Sequence, residues 1–190
     1  DDFGKRIVND STADRVITYG KSGDLSWHGE YSSTGMRVEF SFEGKSIGTE
    51  LLVHSEFEVA NIAAALAAFL SMGHTIDKLI DLLPQLSSVP GRMQKIPGPK
   101  GCPSVILDYA HTPDALERVL RACRHHCEGR LICLIGCGGG RDAGKRPIMG
   151  RVAIENSDVC YFTSDNPRDE DPLEIIINMT SSISTLEKRR

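Results

Sequence analysis

The second half of the chain repeats one pattern three times, and that repetition limits the fold more than any other feature. A short, β-rich apolar run is followed by a loop and then by a helical pattern. The runs are Ser104 to Tyr109, Leu131 to Ile135 and Val159 to Thr163. Thr112 and Pro113 supply an N-cap and a first-turn proline for a helix reaching Cys127, with Gly129 beyond it. A Gly-rich segment after Ile135 opens a second helix, through about Ile154. Asp171, Pro172 and Glu174 open a third, as cap, first-turn proline and N3 acid. Strands alternating with helices predict an α/β fold, a mainly parallel sheet with helices on its faces. Ligands of such sheets gather at the carboxyl ends of the strands. That rule singles out the loops Asp108 to Asp114, Gly136 to Lys145 and Asp165 to Asp171.

The first half reads as strands and then helices. Met36, Val38, Phe40 and Phe42 alternate with Arg37, Glu39 and Ser41, the period-two pattern of a half-buried strand. Glu43-Gly44-Lys45 is a turn, and Ser46 to Val53 returns as the partner strand. An Ala-rich stretch from Val59 to Met72 predicts a buried helix stopped by Gly73, and Thr75 can cap a shorter helix that ends before Pro84. Ser87-Ser88-Val89-Pro90-Gly91 reads as a hinge. The last helix runs into Glu187-Lys188-Arg189-Arg190 with no stop signal, and three strands are few for a doubly wound sheet, so a longer parent enzyme is expected.

Composition excludes several classes. The 40% apolar and 25% charged shares are those of a soluble globular protein. The longest apolar run, Ile62 to Leu70, is too short to cross a bilayer, so no membrane partner is expected and the location reads as cytoplasmic. A net charge of −4 argues against nucleic acid. Arg141, Lys145, Arg146 and Arg151 nevertheless cluster in sequence, a positive patch suited to a small anion or a solvated helix start. The six cysteines are irregularly spaced. Cys123 and Cys127, around His125 and His126, could face one ion, but no second pair follows at finger-like spacing, so these are expected to be reduced thiols with no metal.

The Gly-rich loop Gly136-Cys137-Gly138-Gly139-Gly140-Arg141-Asp142-Ala143-Gly144-Lys145-Arg146 admits several readings. As a phosphate-binding Walker loop it fails, because Arg146 stands where the magnesium-binding hydroxyl belongs. As a dinucleotide fingerprint it offers Gly136 and Gly138, with Asp165 as a ribose acid, but Arg141 occupies the third glycine position. As an anion-binding loop it lets backbone N–H groups approach a carboxylate while Arg141 forks onto it. A plain strand-to-helix turn explains the glycines without the cations. Asp165-Asn166-Pro167-Arg168 ends the third strand. An acid beside an Arg suits a ligand with both ammonium and carboxylate, and equally a surface ion pair.

Four segments in register resemble one known family. Pro90-Gly91-Arg92-Met93, Asp108-Tyr109-Ala110-His111-Thr112-Pro113-Asp114, the Gly-Cys-Gly-Gly loop running to Gly144-Lys145-Arg146-Pro147, and Asp165-Asn166-Pro167-Arg168 look like the Mur ligases, and among them the diaminopimelate-adding MurE type. The resemblance runs from about Phe57 to Pro172. It implies the end of a central ATPase domain over 1–91, of strands plus helices, and most of a Rossmann-like C-terminal domain over 92–190.

In that family ATP phosphorylates the D-glutamate γ-carboxylate of a UDP-N-acetylmuramoyl dipeptide, with Mg2+ in attendance. The amino group of the incoming amino acid, here meso-diaminopimelate, then attacks the acyl phosphate. By motif, Asn61 would lie near adenine, Asp108 would bond the ribose, and Arg92 and His111 would act catalytically near the phosphates. Arg141 with Asp165, Asn166, Pro167 and Arg168 would hold diaminopimelate. A monomer is expected. The family's Phe-Asn-x-x-Asn stands here as Phe57-Glu58-Val59-Ala60-Asn61, so Glu58 replaces an amide. The resemblance puts the phosphate loop, modified lysine and magnesium ligands before Asp1 and a Gly-Lys-Gly-His-Glu segment after Arg190, so this chain alone is expected to be inactive. Lysine-adding and folylpolyglutamate-type ligases, a nicotinamide-dependent Rossmann oxidoreductase and a non-catalytic α/β module are the alternatives.

Overall fold

A computed structural model describes residues 2–32, 35–87, 89–99 and 101–184. The chain divides between Val89 and Pro90 into two compact units. The segment read as a hinge spans this division, and its Ser88 lies outside the described residues, as do Glu187 to Arg190.

The N-terminal unit begins with a helix that the sequence reading did not anticipate, α1 (Asp2–Asp10), which buries none of its residues. Three strands follow, β1 (Leu25–Tyr31), β2 (Met36–Phe42) and β3 (Lys45–Leu51), in an antiparallel meander with β2 central. The period-two expectation holds on β2, where Met36, Val38, Phe40 and Phe42 are buried and Arg37 and Glu39 are exposed. Glu43 and Gly44 both have positive φ, the two-residue turn whose twist matches the flanking strands. β1 was not foreseen, because His28 and Gly29 dilute its strand signal although Leu25 and Trp27 alternate.

The long helix α2 (Glu56–Ser71) covers this sheet with Val59, Ala63, Leu66, Ala67 and Leu70. A short helix, α3 (Ile76–Ile80), adds Ile76, Leu79 and Ile80 to the same core. Thr75 stands at its N-cap with extended backbone, but its side chain makes no capping hydrogen bond.

The C-terminal unit holds a short strand pair and a parallel pair. β4 (Gln94–Ile96) runs antiparallel to β5 (Val105–Leu107). β6 (Ile132–Ile135) runs parallel to β7 (Val159–Phe162), with Cys133 opposite Cys160. The helices are α4 (Pro113–His125), α5 (Lys145–Glu155) and α6 (Pro172–Thr180). Thr112 caps α4 by accepting the Ala115 N–H, and Asp171 caps α6 by accepting the Leu173 N–H. The α/β class is thus present, with parallel strands. The run at Ser104 to Tyr109 hydrogen-bonds antiparallel to β4 rather than to β6. β4 was not anticipated, since three residues with a charged centre carry little strand signal.

Two expectations need correction. β6 was read as a buried strand, yet only Cys133 and Ile135 are buried, while Ile132 and Leu134 are 50% and 71% exposed. Leu116, Leu120, Met149, Ala153, Ile175 and Met179 from the three helices pack on its Cys133 face alone. The last helix stops at Thr180 rather than running on. Ser181 Oγ donates back to the Asn178 carbonyl, Ser182 Oγ to the Pro147 carbonyl, and Ile183 is buried, so side-chain bonds and burial end a helix that carries no glycine or proline stop. Among the described residues no helix is long and apolar enough to cross a membrane.

Candidate functional site

The loops that follow β5, β6 and β7 hold the candidate residues of the C-terminal unit, except Arg92, which precedes β4. After β5, Asp108 Oδ2 accepts the Met93 backbone N–H at 2.8 Å, which draws the Arg92-Met93 segment against the start of the loop. Met93 takes a left-handed φ of 43° there, and its side chain is buried. Arg92 is exposed, its guanidinium carbon 5.2 Å from the centre of the Tyr109 ring, within cation–π range. Tyr109 meets His111 edge-on, and His111 Nδ1 lies 3.1 Å from the Tyr109 carbonyl. Arg92, Asp108 and His111 are therefore gathered around Tyr109. Lys145 ties this loop to the next, donating from Nζ to the His111 carbonyl at 2.7 Å.

The loops after β6 and β7 are pressed together. The Gly139 N–H donates to the Asn166 carbonyl at 2.9 Å, and Arg168 Nη1 donates to the Gly139 carbonyl. A Cβ on Gly139 would stand 1.8 Å from the Pro167 carbonyl oxygen, so this contact of backbone on backbone admits only glycine. Gly138 adjoins Arg168, Asn166 and Arg141 together, and Gly136 adjoins Asp165. The geometry thus brings Arg141, Asp165, Asn166, Pro167 and Arg168 to one end of the parallel pair. Arg168 itself has a left-handed φ of 51°. No ion pair forms between Asp165 and Arg168, because the guanidinium turns to the Gly139 carbonyl. Asn61 is exposed on α2 of the other unit.

The positive patch read from the sequence is mostly engaged by the protein. Arg146 is 2% exposed and forks onto Glu170, from Nη1 to Oε2 at 2.8 Å and from Nη2 to Oε1 at 2.9 Å. Arg151 pairs with Glu155 and donates to the Ser182 carbonyl. Arg141 remains exposed. The Gly-rich loop does hold a carboxylate through its backbone, but the carboxylate is Glu170, which accepts the Gly140 N–H at 2.6 Å. The Arg146 hydrogen bonds, with that of Gly140, pull the Glu170 carboxyl down to about 2. With the Gly139 and Gly140 N–H groups so engaged, less of this loop is open to a dinucleotide pyrophosphate. Glu170 was missed because it stands between Asp169 and Asp171, where only Asp171 carries a helix-start signal.

Glu58 is explained locally. Its carboxylate accepts the Ser55 hydroxyl at 2.8 Å and the His54 N–H at 2.9 Å, while Ser55 accepts the Glu58 N–H. This is a variant capping box at the start of α2, in which the acid takes the N–H of the residue before the N-cap. Among the described residues no group of His, Cys, Asp or Glu gathers to hold a metal ion, and all six cysteines are free.

Residues 91–189, just over half the chain, match the family described as Mur ligase, glutamate ligase domain. The chain belongs to the Mur ligase family. It is 38% identical to UDP-N-acetylmuramoyl-L-alanyl-D-glutamate–2,6-diaminopimelate ligase of Ectopseudomonas mendocina, over 99% of this chain and 39% of that protein. A ligase of the same name, numbered 1, from Clostridium acetobutylicum is 41% identical over 97% of this chain and 39% of its own length. A solved structure of such a ligase aligns with a TM-score of 0.56 at 34% identity, covering 96% of this chain and 38% of that one. The chain therefore spans about two fifths of the Mur ligases it matches. The four segments that carried the resemblance all lie in or beside the three loops of the C-terminal unit.

Proposed function

We propose that this chain forms part of an ATP-dependent ligase that joins meso-diaminopimelate to the D-glutamate γ-carboxylate of UDP-N-acetylmuramoyl-L-alanyl-D-glutamate, in peptidoglycan biosynthesis. The observation that carries the reading is the closed seam between the loops after β6 and β7. It gathers two arginines, an acid and an amide at one strand end, in a chain whose relatives bear diaminopimelate ligase names. Arg168 and Arg141 are suited to a carboxylate, and Asp165 to an ammonium group, which together describe the free end of an amino acid.

The residues around Tyr109 suit a nucleotide. Asp108 has one oxygen on Met93 and the other available to a ribose hydroxyl, and exposed Arg92 offers charge over Tyr109, whose ring also meets His111. ATP would supply the phosphoryl group that turns a carboxylate into a competent electrophile. In this chain Arg92 and His111 would orient and offset the phosphate charge, Asp108 would hold the sugar, and exposed Asn61 would serve the adenine. Magnesium would be held by residues outside the chain. We assign 1–91 to the central ATPase domain and 92–190 to the Rossmann-like amino-acid domain, within a cytoplasmic, monomeric enzyme that has no nucleic-acid or membrane partner.

The test is ADP release by the full-length ligase, with the nucleotide dipeptide as acceptor and meso-diaminopimelate or L-lysine in parallel. A strong preference for diaminopimelate is expected. Preference for lysine would discard the substrate assignment, and no ADP release with either would discard the ligase.

A further inference from the structure

We infer that Arg146 and Glu170 form a positioning pair that sets Arg168 for the incoming amino acid. The inference deepens the reading above and rests on it, since there Arg168 grips the amino acid's carboxylate.

Lys145 and Arg146 stand in the first turn of α5, where cations oppose the helix dipole, so helix stability does not explain them. Each instead reaches a neighbouring loop, Lys145 the His111 carbonyl and Arg146 the Glu170 carboxylate. Arg146 is almost wholly buried, and its Nε has no hydrogen-bond partner. The guanidinium is buried with an orphaned donor while the Glu170 carboxylate is 39% exposed, so one charge is desolvated and the attraction is partly screened, a poor source of stability. A two-point fork does something an apolar pair cannot: it fixes the plane and distance of the carboxylate it holds.

That carboxylate sits two residues after Arg168. Glu170 accepts the Gly140 N–H from one loop, while its own N–H donates to the Pro167 carbonyl at 3.0 Å and closes the turn containing Arg168. Within that turn Arg168 adopts its left-handed φ of 51°, which costs a non-glycine residue energy and persists only where the surroundings hold it. Arg146 Nη2 also points to the Gly138 carbonyl at 3.4 Å, beside the point where Arg168 and Arg141 adjoin. Arg146 through Glu170 thus fixes the turn from behind, and Arg168 projects from it along the Gly-rich loop.

The split of Michaelis constants in the full-length ligase decides the matter. Glu170→Gln keeps the shape and loses the charge. It should raise the KM for diaminopimelate about tenfold or more while leaving the KM for ATP and for the nucleotide acceptor within about twofold. Arg146→Lys keeps the charge but loses the fork, and should show the same split to a lesser degree. An unchanged diaminopimelate KM, or an equal rise in all three constants, overturns the pair's role. Should Glu170→Gln not fold, Arg146→Lys is judged by the same criterion. A wild-type ligase without amino-acid-dependent ADP release removes the functional reading itself and the inference with it. That outcome is distinct from a wild type that turns over while its variants show no split.

Discussion

The core of the N-terminal unit and the loop seam of the C-terminal unit solve the problem of close contact in opposite ways. In the first, Val38, Phe40, Val59 and Leu70 come together as apolar surfaces, and the burial is non-directional. In the second, backbone carbonyls, a buried guanidinium and a carboxylate meet through directed hydrogen bonds. An apolar core tolerates repacking if its volume is kept, whereas a hydrogen-bonded seam has one geometry or none. The difference teaches where stability and where site geometry reside: the first unit draws its stability from volume filled, and the second holds loop positions by direction.

Three measurements can break or sharpen that contrast. The largest effect is expected in the N-terminal core. Phe40 is wholly buried, and Phe40→Ala should lower the unfolding free energy by about 3–5 kcal/mol. Urea unfolding followed by Trp27, the single tryptophan and a neighbour of that core, would read it. A loss below about 1 kcal/mol would mean that the core is not where this unit's stability lies.

An intermediate effect is expected at the seam. Gly139→Ala puts a methyl group against the Pro167 carbonyl and should cost the C-terminal unit about 1–3 kcal/mol, read as faster amide exchange in the loops after β6 and β7. Unchanged exchange there would show that the loops part freely, and the contrast would fail.

The smallest effect is the acid response. The folded Glu170 carboxyl, at about 2, lies below its unfolded value of about 4.3. Its contribution is therefore complete above the unfolded value and is lost as pH falls toward the folded one. Circular dichroism melts across that window should show wild type losing more stability than Glu170→Gln. Parallel curves would mean that the Arg146 fork does not bear on folding.

Much of this was readable from residue order because it depends on short-range rules. The alternation on β2, the caps at Thr112 and Asp171, and the strand–loop–helix repeat follow from side-chain period and local hydrogen bonding. Arg92, Asp108, His111 and the Asp165–Arg168 segment stood out through family motifs in order, and the structure gathers them into two groups in the C-terminal unit. The role of Glu58 was less visible, since a capping box and a substituted binding amide look alike until the carboxylate is seen on Ser55 and His54.

Residue order by itself determined the helices and strands other than α1, β1 and β4, the α/β class and the family, because periodicity, caps and motif spacing are local properties of a chain. Only the tertiary structure decided which cations are free. Lys145, Arg146 and Arg151 look alike in sequence, yet the first two bind neighbouring loops and the third a helix end, leaving Arg141 exposed. A charge's partner is set by distances between residues far apart in the chain, as with Arg146 and Glu170, and a one-dimensional pattern does not encode those distances.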